Sequence, residues 1–100
     1  QQLDRADFER PDAPWLVVLF TSSNCDSCAG LYDKARALES AEVVVAEGEY
    51  FAQPELHERY GVDAAPMTLI ADAQGVVRGS FLGAFSAPEL WTAVAELRAG

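Results

Sequence analysis

Trp15-Leu16-Val17-Val18-Leu19-Phe20 runs directly into Thr21-Ser22-Ser23-Asn24-Cys25-Asp26-Ser27-Cys28-Ala29-Gly30, and the fold turns on how these residues are read. The first six are apolar without a break, the pattern of a strand covered on both faces. After the cysteines, Ala29, Leu31, Tyr32, Ala35, Ala37 and Leu38 recur at helical spacing to about Ser40. Leu31, Ala35 and Leu38 share one face. Cys25 and Cys28 are the only two cysteines of the chain. They are expected at a strand-to-helix junction, opening the helix.

That position has a chemical use. A helix N-terminus presents unpaired backbone N–H groups and partial positive charge. Both favour thiolate over thiol, so Cys25 is expected to be the nucleophile. Cys28, one turn on, can close a short disulfide or resolve a mixed one. Three other readings stay open on the residues alone. A structural disulfide across so short a loop adds little stability. A zinc half-site lacks a second cysteine pair and has only His57 and carboxylates to complete it. Two buried, inert thiols need no further explanation.

Outward from this stretch, 100 residues suffice for one domain, residues 1–100, and half of them are hydrophobic, enough for one core. The net charge of −9 argues against nucleic acid or an anionic membrane surface as partner. No apolar run reaches the roughly 18 residues that span a bilayer. The chain starts at Gln1 rather than Met, so an upstream anchor or export signal would lie outside it. The cytoplasm is favoured, and an anchored or exported form stays open. A monomer with no bound cofactor and no metal is expected.

A short helix or turn is expected over Asp4 to Arg10, ended by Pro11 and Pro14. Glu42 to Ala46 reads as a second strand, and Gly48 to Gln53 as a loop. Pro54 to Tyr60 reads as a helix stopped at Gly61. Met67 to Ala71 and Val76 to Leu82 read as a hairpin around Asp72–Gly75. Ser86 caps a last helix carrying Leu90, Trp91, Val94, Ala95 and Leu97. The order is (α)βαβαββα, an α/β chain with a central mixed sheet flanked by helices. His57 is expected in solvent. Trp15 and Trp91 are expected as core or half-buried anchors, and Tyr50 and Phe51 as packing residues. Ser23 and Asn24 are candidate helix caps.

Four features in this order resemble the thioredoxin superfamily, from about Trp15 to Leu97. They are the apolar strand leading into Cys25-Asp26-Ser27-Cys28, Arg59-Tyr60-Gly61-Val62 closing a helix, Ala65-Pro66 before a strand, and Gly83 after the last strand. The resemblance implies a thioredoxin-like fold and a cis peptide bond at Pro66 facing the cysteines. It also implies a substrate groove lined by Ala65, Pro66 and Gly83. The implied activity is thiol–disulfide exchange with protein dithiols or disulfides, with a reductase or oxidase partner supplying or taking electrons.

The sequence departs from the family at several points. Asp26 and Ser27 replace Gly-Pro between the cysteines, and Asn24 replaces a tryptophan. Leu19 stands where thioredoxins carry a buried aspartate, and Glu47 where they carry its paired lysine. Glu47 is therefore a candidate replacement proton relay for Cys28, against the plainer reading of a solvated strand-end carboxylate. These departures favour an alternative to catalysis: a redox-responsive or protein-binding module without efficient exchange.

Overall fold

A computed structural model describes residues 2–100; the Gln1 end of the first segment and of the single-domain reading lies outside it. The elements are β1 Trp15–Thr21, α1 Leu31–Arg36, β2 Val43–Glu49, α2 Pro54–Arg59, β3 Met67–Asp72, β4 Val77–Leu82 and α3 Ala87–Ala99. The expected N-terminal helix is only a 3-10 turn, Arg5–Asp7, capped by the Asp4 side chain. No described helix is long and apolar enough to cross a membrane.

The strands form one mixed sheet in the order β2-β1-β3-β4. β1 runs parallel to β2, with Trp15 beside Val43 and Leu19 beside Glu47. It runs antiparallel to β3, with Leu19 beside Thr68. β3 and β4 are the expected hairpin, with a register irregularity at Ile70/Ala71. Alternation along β1 sends Val17 and Leu19 to one face, where they pack with Leu31, Ala35, Leu90 and Val94. Leu16, Val18 and Phe20 go to the other, with Leu3 and Leu56. Both faces of β1 are covered, which is why its sequence shows no polar alternation.

Local chemistry fixes the ends of the elements. Ser86 and Glu89 form a reciprocal capping box at the start of α3. Asp72 holds the hairpin turn through the N–H groups of Gln74 and Val76 at 2.9 and 3.0 Å. Gly75, at φ +84°, leaves room for the Leu3 carbonyl where a Cβ would stand. Leu3 N–H donates back to the Gly75 carbonyl at 2.8 Å, tying the N-terminal segment to the hairpin.

Several expectations need correction. The helix after the cysteines does not run unbroken to Ser40. Gly30 takes φ +75° and separates a 3-10 turn, Asp26–Cys28, from the six-residue α1. β2 extends to Glu49 because Gly48 is buried against Phe20 and Leu56 and continues the strand. His57 is not in solvent: it is 5% exposed, with Nε2 2.7 Å from the Gly48 carbonyl and its ring edge-on to Phe20 and Tyr50. Tyr50 and Phe51 are exposed and pack edge-to-face on each other. Trp91 is 42% exposed, its indole N–H donating to the Lys34 carbonyl.

Candidate active site

β1 delivers the chain to the end of the parallel strands, where the cysteine segment begins. Cys25 and Cys28 are joined as a disulfide with Cα atoms 5.3 Å apart. Cys25 is half-buried and Cys28 only 8% exposed. The turn is held by Cys25 N–H to Ser22 carbonyl at 3.0 Å and Cys28 N–H to Cys25 carbonyl at 3.2 Å. Neither Ser23 nor Asn24 caps it through its side chain. Their backbone N–H groups instead donate to Glu49 Oε2 and Ser22 Oγ, because the loop folds back on the end of β2.

The break at Gly30 changes the electrostatics expected from the sequence. α1 begins at Leu31, beyond both sulfurs, and has only six residues. Helix-terminus charge decays within a turn, so Cys25 gains only what one 3-10 turn supplies. A local donor stands closer. Ser27 Oγ lies 3.5 Å from Cys25 Sγ. From the sequence, Ser27 registers only as a loss of proline rigidity; spacing gives no signal that its hydroxyl folds back toward the sulfur.

The opposite wall comes from the β3 entry. The Ala65–Pro66 bond is cis. The Ala65 carbonyl oxygen lies 3.6 Å from Cys25 Sγ. Gly83 N–H donates to the Pro66 carbonyl at 2.9 Å, with Gly83 at φ +93°. The structure thus brings Ala65, Pro66 and Gly83 together, with Ala65 beside Cys25.

Glu47 is exposed, yet it shares an open cavity of about 360 Å³ with Cys25, Cys28, Thr21 and Glu49. Its Oε2 accepts from Thr21 Oγ1 at 2.8 Å. Leu19 is fully buried on the same sheet face. Thr68, its cross-strand neighbour, is also fully buried, and its hydroxyl has no partner among the described residues. The sequence shows Thr68 only as a β-branched strand residue, so the unpaired hydroxyl is visible only in three dimensions. Among the described residues no cluster of three or more His, Cys, Asp or Glu could hold a metal ion.

No protein-family model matches this chain, and no curated protein matches it. Solved structures do. The germline-specific thioredoxin Deadhead of Drosophila melanogaster aligns at TM-score 0.75 and 26% identity, over 92% of this chain and 89% of that one. Chloroplastic thioredoxin z aligns at 0.74 and 19%, over 89% and 81%. Reduced Schistosoma mansoni thioredoxin aligns at 0.71 and 19%, over 91% and 86%. The chain has the thioredoxin fold. The fold and the paired cysteines together support a thiol–disulfide oxidoreductase role in general.

Proposed function

We propose that the protein exchanges its Cys25–Cys28 dithiol or disulfide with protein substrates. The observation that carries this is the asymmetry of the pair: Cys25 is reachable and stands beside Ala65, while Cys28 is buried behind it. In the reducing direction, the Cys25 thiolate attacks a substrate disulfide and expels one substrate thiolate. Cys28, as thiolate, then attacks Cys25 Sγ of the mixed disulfide and expels the second. Two electrons pass from the dithiol to the substrate, and the two Cys protons leave through solvent or a base. The oxidising direction is the same sequence reversed.

Ala65, Pro66 and Gly83 form the wall against which an extended substrate segment lies. Glu47 is the proton relay for Cys28. It lines the same cavity, and the Thr21 hydroxyl orients its carboxylate. Glu47→Gln with unchanged exchange rate and thiol titration would remove Glu47 from the mechanism. The partner is a protein with a dithiol or disulfide, and a reductase or oxidase completes the cycle.

Reduction of insulin disulfides, compared between the protein and Cys25→Ser, tests the proposal. Exchange that depends on Cys25 supports it. The second reading is a redox-responsive module without efficient catalysis. The Gly30 break favours it, because it moves the helix terminus away from the nucleophile. Background insulin reduction with a disulfide that still opens and closes reversibly selects that reading.

A further inference from the structure

The cations and carboxylates of this chain are unevenly paired. Of its seven Lys and Arg side chains, five are in ion pairs: Arg10–Glu39, Arg36–Asp33, Arg59–Asp7, Arg78–Asp72 and Arg98–Glu42. Arg5 is buried on the carbonyls of Ala13, Asp72 and Arg10. Lys34 reaches the Phe85 carbonyl at 3.4 Å. Arg36 meets Asp33, which lines the disulfide cavity, through an exposed 3.8 Å contact.

The mouth of the disulfide shows the opposite balance. Asp33, Glu47 and Glu49 line the cavity that holds both cysteines, and no Lys or Arg lines it. Asp26 stands exposed between the cysteines. Across the site, Asp63 lines the adjoining cavity with Ala65 and Tyr50. Among the described residues, Asp26, Glu47, Glu49 and Asp63 have no ion-pair partner. Burial pushes the Glu49 carboxyl up, but the N–H groups of Phe51, Ser23 and Ala52, with His57 nearby, outweigh that and hold it below the usual range.

We infer that the partner segment presented to Cys25 is cationic, with Lys or Arg flanking the cysteine that exchanges. The inference rests on the exchange reading for the ligand's sulfur. The disulfide and the Ala65 wall mark where a ligand sits, and the unpaired carboxylates select its charge. A positive segment meets complementary charge at these carboxylates and is steered to the sulfur. An anionic segment meets the same field as a barrier. Asp26 belongs to the same selection: beside the sulfur it disfavours an incoming anion as well as the local thiolate.

The test separates charge selection from exchange. Two synthetic peptides identical except for flanking Lys/Arg or flanking Glu, each with serine in place of its cysteine, are titrated into the oxidised protein. Binding is read from amide shifts around Ser22–Gly30 and Ala65. The cationic peptide is expected to bind at least about tenfold more tightly at low salt, the preference shrinking to about twofold near 0.5 M. Equal affinity, or a preference indifferent to salt, overturns the inference.

The exposed double variant Asp33→Lys/Asp63→Lys is expected to lose most of the preference. An undiminished preference in that variant also counts against the inference. Background reduction of insulin by the native protein defeats the exchange reading alone, since the serine peptides still decide the charge.

Discussion

The two walls of the site are built differently. The Pro66 wall grows out of a sheet: Met67 follows at once in β3, β4 pairs with it, and Gly83 closes on the Pro66 carbonyl. The cysteine wall hangs between the end of β1 and a six-residue helix, through one 3-10 turn and a left-handed glycine. Only Leu31 and Ala35 of α1 are buried. One wall therefore inherits the stability of the core, and the other depends on a few anchors. The paired sulfurs sit on the wall with fewer buried anchors, where opening and closing a disulfide would ask least of the fold.

Leu31→Ala should break this contrast most visibly. Leu31 is 1% exposed and is the main side chain holding α1 to the sheet. Its truncation is expected to cost about 3 kcal/mol in chemical denaturation. Amide exchange should rise first over Asp26–Arg36 and leave β3 protected. Uniform loss of protection across both walls would show that they unfold as one unit.

A smaller effect compares the glycines. Gly30 and Gly83 both have positive φ, and neither has an atom within 4 Å of where a Cβ would stand. Alanine at either should cost about 1–2 kcal/mol through backbone strain alone. The functional results should differ. Gly30→Ala shifts the Cys25–Cys28 reduction potential, because it alters the turn carrying the sulfurs. Gly83→Ala weakens substrate capture and leaves the potential in place. Equal shifts in potential would erase the distinction between the walls.

These walls were unequally legible in the sequence. Ala65, Pro66 and Gly83 are legible through the resemblance to the thioredoxin superfamily, whereas on its own Pro66 reads as an ordinary loop proline; of the hairpin between them only β4 alternates in burial. The cysteine wall misleads. Ala29, Leu31, Ala35 and Leu38 keep helical spacing across a point where the chain stops being helical, so periodicity cannot reveal the Gly30 break. His57 misleads for a related reason. Its neighbours Glu55, Glu58 and Arg59 are polar and exposed, and the Gly48 carbonyl with the Phe20 and Tyr50 rings, outside its own helix, make its burial favourable.

Thr68→Val sharpens the comparison from the stable side. The Thr68 hydroxyl is buried and has no partner among the described residues, so an apolar isostere is expected to stabilise the protein by about 1 kcal/mol. Exchange kinetics should not change. A stability loss, or slower exchange, would show that the hydroxyl has a partner in the reduced state.

The smallest effect lies in the N-terminal segment, at Asp7. Hydrogen bonds from Arg59 and then Tyr60 hold the Asp7 carboxyl below its ordinary range. A depressed folded-state pKa means stability that is present above the unfolded value, near 3.9, and lost as pH falls through the folded value. Asp7→Asn should therefore flatten the acid limb of the stability curve below about pH 4. It should leave the reduction potential alone. An unchanged acid limb would show that the Asp7 contacts persist in the unfolded chain.

The central claim is that Cys25 is the sulfur that meets the substrate and Cys28 the one that resolves. Reduced Cys28→Ala, mixed with a disulfide-bonded protein substrate, tests it most directly, by mass spectrometry of the covalent adduct. The expected result is a stable mixed disulfide mapped to Cys25, with no trapped adduct from Cys25→Ala. An adduct carried by Cys28 in the Cys25→Ala variant, or none from either variant, would contradict the account.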